Sequence, residues 1–214
     1  MGKVTAMDHE NKQFWQKMAK LYAPFMKSSD KLYADICRRI ELQLNRRMNV
    51  LELACGSGQL SFRLATKVQL WEATDFSENM IDEAKKQAGS NRLHFSVQDA
   101  TNLPYAPETF DAVVIANALH IMPHPDKALT EIHRVLKPGG LLFAPTFIHG
   151  KGAGFRLRSR ILELAGFRVF SKWSEAEFAD YIGRHRFAVC KHECLGKSIA
   201  PLCYLEAQKE DTLR

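Results

Sequence analysis

Residues Val50–Leu60 read VLELACGSGQL. A short apolar run, 49–54, leads directly into Cys55-Gly56-Ser57-Gly58, and Leu60, Leu64 and Val68 follow at helical spacing. This predicts a strand, a tight glycine loop and a helix. Glycine permits the turn and lets a ligand approach the backbone closely. The free N–H groups at the start of the helix attract negative charge.

Outward from this unit the same rhythm repeats. Strands are predicted at 70–74, 93–97, 110–116 and 141–146, with helices at 78–88 and 126–136. Strands alternating with helices of about ten residues indicate βαβ units and a parallel sheet covered on both faces. Connection rules then favour an open, doubly wound α/β sheet. At the end, strands at 187–194 and 199–207 have only four residues between them, too few for a parallel crossover, so they form an antiparallel hairpin. Before the sheet, Phe14, Trp15, Met18, Leu21, Tyr22 and Phe25 recur at helical spacing. Leu32, Ile36, Ile40 and Leu44 mark a second helix over 29–44. The expected organisation is one domain: an N-terminal helical cap at 1–45, a cofactor-binding core at 46–147, substrate-cap helices at 148–185 and the hairpin at 186–210.

In such sheets, ligands bind beyond the carboxyl ends of the strands. Asp75 ends the second predicted strand, 19 residues after Gly56. A carboxylate there can accept both ribose hydroxyls of an adenosine-containing cofactor. Asp99 follows the third strand, where it can accept from an adenine amino group, and Asn117 follows the fourth. Glu52/Gly56, Asp75, Asp99 and Asn117 are thus expected to face one crevice. The bland alternative makes Asp99 and Asn117 local turn formers.

VLELACGSGQL, TDFSENMIDEAK, VQDATNLPY, FDAVVIANALHIM and ALTEIHRVLKPGGLLFAPTF occur in this order between about Asn49 and Thr146. Together they resemble the successive motifs of class I S-adenosylmethionine-dependent methyltransferases, most closely the "type 11" small-molecule group that includes quinone-biosynthesis C-methyltransferases. The resemblance implies a seven-stranded, Rossmann-like methyltransferase sheet and S-adenosylmethionine as cofactor, with S-adenosylhomocysteine as product. It further implies that Glu52, Ala54, Gly56 and Gly58 surround the methionine part of the cofactor, and that Asp75 holds the ribose. Phe76 and Met80 would pack on the adenine, Asp99 and Ala100 would bind its edge, and Asn117 would lie near the methionine part and the methyl-transfer channel. Ser61 stands where a dinucleotide fingerprint has its third glycine, which counts against a nicotinamide enzyme.

Substrate-side candidates are less specific. His120 and His124, just past the fourth strand, could each serve as a general base, His120 being the candidate, while the favoured plainer reading is a loop histidine that packs or hydrogen-bonds. Trp15 and Tyr22 could wall the acceptor pocket. Between Lys151 and Lys172 there are six basic residues against the single acid Glu163. Arg156 and Arg160 lie one turn apart there and suit an anionic group. Cys190, His192 and Cys194 alternate along one strand with Cys203 on the next. Alternation on one sheet face explains them, and no metal is expected.

The 214 residues are 46% hydrophobic and 25% charged, with a formal charge of +6, the composition of a folded globular chain. No run approaches the ~20 apolar residues of a membrane span. Five cysteines with no apolar leader over 1–30 point to reduced thiols and a cytoplasmic setting. No Asn/Asp-Pro-Pro-Tyr/Phe and no Pro-Cys follows the fourth strand, against base methylation in nucleic acid. The expected function is methyl transfer to a small-molecule acceptor by a monomer or homodimer. The alternatives are RNA or protein methylation, docking through 151–172, and a non-catalytic methyltransferase-like binding module.

Overall fold

The computed structural model of the chain describes residues 13–17, 30–87, 90–148, 169–195 and 201–211. Tyr22, Arg156 and Arg160 lie outside the described residues, as do 149–168, most of the basic window.

After a short helical stretch at 13–17, the elements are α1 (Asp30–Glu41), β1 (Asn49–Leu53), α2 (Ser61–Leu64), β2 (Leu70–Asp75), α3 (Glu78–Lys85), β3 (Leu93–Val97) and β4 (Phe110–Ile115). Then come α4 (Pro125–Val135), β5 (Leu136–Phe143), β6 (Thr146–Phe147), α5 (Glu175–Arg184), β7 (Phe187–Leu195) and β8 (Leu202–Lys209). The strands lie in the order β3-β2-β1-β4-β5-β8, with β7 on the far side of β8. β1 to β5 are mutually parallel. Among the described strands, β8 alone runs against its neighbours β5, β6 and β7.

Successive residues of a strand point to opposite faces, and both faces are buried. Val50 joins one core cluster with Trp71, Ala73, Ala112 and Val114. Leu51 and Leu53 join the other with Val113, Ile115, Leu129 and Ile132. Covering both faces is what a parallel sheet demands. α1 buries Tyr33, Ile36, Cys37 and Ile40 against the first face, one stripe of a 3.6-residue period. Ion pairs Asp30–Arg63 and Glu41–Lys67 hold it beside α2. Arg39 pairs with Glu193 of β7 and lies over the Tyr204 ring of β8. This helix ends at Glu41, three residues before the expected Leu44.

Two boundaries depart from expectation for physical reasons. LKPGG does not simply separate helix from strand: α4 stops at Val135, and Leu136 already pairs with Phe110 before the register jumps to Ala112↔Leu141. Gly139, at φ +67°, makes the irregularity possible. A side chain at Gly140 would meet the carbonyl oxygen of Lys137 at 2.9 Å. The expected seventh-strand plan also gains an eighth segment. The Ala144-Pro145 break divides the fifth strand, and β6 continues along the same edge of β8. Proline has no N–H to give a ladder, and the Pro145 carbonyl instead accepts from the Asn117 amide at 2.7 Å.

Candidate active site at the strand ends

The glycine loop is held by a buried carboxylate. Asp75, at the end of β2, accepts from the Gly56 amide (2.9 Å) and from the Ser77 amide (2.8 Å). Ser77 in turn caps α3, its hydroxyl accepting from the Met80 amide. Burial raises the Asp75 pKa, outweighing the backbone amides of Ser77, Gly56 and Phe76 that favour its charge. Each carboxylate oxygen has a second acceptor site, so the arrangement can still take ligand hydroxyls. Gly56 and Gly58 have φ of +56° and +90°, and a Cβ on Gly58 would lie 2.6 Å from the Phe62 ring. The loop therefore requires glycine at 58. Ala54 also has positive φ, +53°.

Glu52 departs from the expected crevice. Its carboxylate accepts from Ser61 Oγ at 2.5 Å and Trp71 Nε1 at 2.7 Å, and the residue is only 2% exposed. Position 52 shares a strand face with Val50, so its side chain enters the first core cluster, where it ties the start of α2 to β2. Burial raises its pKa to about 7, against the two hydrogen bonds, and the Asp75 charge pushes the same way. Ser61, the residue in place of the third glycine, is therefore a donor to Glu52. Neither that role nor Trp71's was read from the sequence; a polar residue alternating among apolar strand positions was the available signal.

The third strand end is brought to the same level, since the Gln98 amide donates to the Asp75 carbonyl at 3.1 Å. Asp99 itself is exposed, and its Oδ1 accepts from the Thr101 amide and hydroxyl, both at 2.8 Å. That is the local-turn geometry the bland reading described. Ala100 and Met80 are buried, and Phe76 is half-buried. The helical stretch containing Trp15 reaches this end of the sheet: the carbonyl of Gln16 accepts from Asn79 Nδ2 at 3.0 Å, in the first turn of α3.

On the other side of the glycine loop, Asn117 has φ +54°, a conformation Asn tolerates better than most residues. Its Nδ2 donates to the Tyr33 hydroxyl at 2.8 Å. Among the described residues, its Oδ1 is the buried side-chain oxygen left without a hydrogen-bond partner. Such an orphan is costly unless a ligand or water completes it. It fits a group with N–H or O–H donors, as the amino-acid end of S-adenosylmethionine has.

Beyond it, His120 is 6% exposed and its Nδ1 is hydrogen-bonded with Thr146 Oγ1 at 3.0 Å. Burial lowers its pKa to about 4, so the imidazole is neutral at pH 7. The Phe147 ring stands edge-on to it at 6.2 Å. The His120 carbonyl accepts from the amides of Phe170 and Ser171. At the far end, His192 and Cys194 share the Glu175 carboxylate, at 2.9 Å each. No cluster of three or more His, Cys, Asp or Glu among the described residues could hold a metal. No described helix is long and apolar enough to cross a membrane.

Comparison with known proteins bears on the family and the fold. Residues 50–140 match the family model described as a methyltransferase domain. The demethylmenaquinone methyltransferase of Leptospira interrogans is 42% identical over 113 residues, covering 50% of this chain and 45% of that protein. The chain thus spans less than half the length of this curated relative. An S-adenosylmethionine-dependent methyltransferase of Thermotoga maritima superposes with a TM-score of 0.72 at 18% identity, covering 92% of this chain and 99% of the other. The [4+2]-cyclase SpnF superposes at 0.69 with 21% identity, covering 87% and 83%. At such identities the structures establish the fold alone, and the cyclase shows that this fold does not dictate one reaction. The ordered motifs, the sheet order and the matched family model agree: residues 50–140 resemble a methyltransferase domain, and over the matched part the chain is similar to a demethylmenaquinone methyltransferase.

Proposed function

We propose that the chain transfers a methyl group from S-adenosylmethionine to a small-molecule acceptor. The observation that carries this reading is the loop Ala54–Gly58 set between the Asp75 carboxylate and the unpartnered Asn117 oxygen. Bound there, the cofactor supplies a methyl group already activated by its positive sulfonium. The chain's residues need only bind, orient and exclude water, and correct alignment alone is worth several orders of magnitude in rate. Asp75 takes the ribose hydroxyls and keeps the Gly56 amide in place. Gly56 and Gly58 allow close backbone approach. Asn117 Oδ1 accepts from the amino-acid end, while Phe76, Met80 and Ala100 line the adenine side.

His120 and Thr146 flank the acceptor side as neutral groups. A histidine held near pKa 4 is a weak general base, so it orients an acceptor hydroxyl better than it deprotonates one. An acceptor that already carries a nucleophilic carbon suits such a site. The relative's name makes reduced, quinone-like rings the first acceptors to assay. In this reading 1–45 and 148–185 flank the acceptor as caps, Trp15 and Tyr22 wall it, and Arg156 and Arg160 attract any anionic substituent.

The test is incubation with isotopically methyl-labelled S-adenosylmethionine and a panel of reduced naphthoquinones and benzoquinones. The expected result is label in an acceptor that gains one methyl by mass. Cofactor that binds yet is never consumed, with this panel and with whole small-molecule extracts, would contradict methyl transfer and favour a binding or cyclase-like role.

A further inference from the structure

Asn117 is fixed unevenly. Its backbone is set by the bond from its amide to the Pro145 carbonyl and by its left-handed φ of +54°. Its side-chain amide donates through Nδ2 to the Tyr33 hydroxyl, and its other end is the buried, unsatisfied Oδ1. Tyr33 comes from outside the matched domain, on α1, and is 6% exposed. α1 is pinned to α2 through Asp30–Arg63 and to the hairpin through Arg39–Glu193, so the phenol is carried on a held helix.

We infer that Tyr33 is a positioning residue of the cofactor site: its hydroxyl holds Nδ2 of Asn117 so that Oδ1 faces the ligand as an acceptor. The inference rests on the proposed cofactor reading and adds to it a residue that the strand-end motifs do not contain. The register supports the placement. Leu53 pairs with Thr74 on one side and with Ile115 on the other. Asp75, one residue past this level, and Asn117, two residues past it, therefore flank the start of the glycine loop. A ligand whose ribose meets Asp75 extends its other end toward Asn117. Without the phenol hydroxyl, the amide is free to turn about its last torsion, and the ligand must then order it on binding.

The test is calorimetric titration of the full chain with S-adenosylhomocysteine, using wild type, Tyr33→Phe, Asn117→Ala, Asn117→Asp and the double variant Tyr33→Phe/Asn117→Ala. Tyr33→Phe keeps the buried ring. The expected result is a Kd raised about tenfold, the scale of one hydrogen bond in a buried site, with the ligand-free Tm little changed. The effect of Tyr33→Phe must vanish in the Asn117→Ala background, a coupling that a merely structural tyrosine would not show. Asn117→Asp must bind at least as well as wild type within about threefold, because a carboxylate keeps the acceptor. An unchanged Kd for Tyr33→Phe, additive losses in the double variant, or Asn117→Asp as weak as Asn117→Ala would each overturn the inference. Wild type that fails to bind would instead overturn the cofactor reading itself.

Discussion

The strand ends of β1 and β2 and those of β4 to β6 are built from opposite materials. The first pair presents the Asp75 carboxylate with the Gly56 and Ser77 amides on it, and behind it a second buried carboxylate, Glu52, is turned into the core toward Ser61 and Trp71. The second group presents Asn117, His120, Thr146 and Phe147, all uncharged at neutral pH. One side can take hydroxyls and a cation; the other offers a neutral surface. In the proposed reading the cofactor spans from Asp75 to Asn117, while His120, Thr146 and Phe147 beyond Asn117 face the acceptor, and substitutions at the charged and neutral ends should fail in different ways.

The largest effect is expected at Asp75. Asp75→Ala removes both the proposed ribose acceptor and the partner of the Gly56 and Ser77 amides. S-adenosylhomocysteine should then no longer raise the Tm in a thermal-shift assay, a loss of at least about 3 kcal/mol of binding for two charge-assisted bonds. A full shift in a folded Asp75→Ala variant would erase the distinction between the two sides. Gly58→Val should come next. A β-branched residue at φ +90°, with its Cβ against Phe62, must move the loop. Binding should be lost while circular dichroism still reports the sheet; native affinity would show that the loop does not meet the ligand.

Two smaller effects use pH to separate the sides. Glu52 ionises near pH 4.5 when unfolded and about 7 when folded. The unfolded chain therefore loses its proton first, so this group costs stability progressively from pH 4.5 to 7, and the cost is constant above. Glu52→Gln removes the charge but keeps an acceptor for Ser61 and Trp71. Its Tm relative to wild type should rise between pH 4.5 and 7 and then level, reaching at most about 10 °C at roughly 2–4 °C per kcal/mol for a chain of this size. His120 has the opposite sign. Its folded pKa of about 4 lies below the ordinary 6.5, so the unfolded chain gains the proton first and stability falls as pH drops from 6.5 to 4. His120→Gln should flatten that acid limb, as followed by Tm in the same buffers. Identical pH slopes for the two variants would mean that the sides do not differ in charge as described.

The parallel sheet was legible because each of its strands carries its own local evidence. Apolar runs bounded by Gly56, Asp75, Asp99 and Asn117 repeat at βαβ spacing, and both faces bury them. The hairpin was legible from a link too short to cross over. Side-chain direction was less accessible. Glu52 sits beside the glycine loop in sequence, yet the pleat sends its side chain into the core toward Trp71, a partner 19 residues away. Asp99 occupies a strand end, yet bonds locally with Thr101. Tyr33 is absent from the Leu32, Ile36, Ile40 and Leu44 pattern that marks α1; only the packing of α1 across the sheet puts its hydroxyl on Asn117, 84 residues away. Spacing reports which face of an element is buried, whereas a hydrogen bond between distant elements depends on how they pack.

The most direct measurement is calorimetric titration of the wild-type chain with S-adenosylhomocysteine. The account predicts saturable one-to-one binding, together with a Tm that climbs with ligand concentration as mass action requires. Absence of both heat and Tm shift at millimolar ligand in folded protein would contradict the assignment of the strand-end cleft to this cofactor.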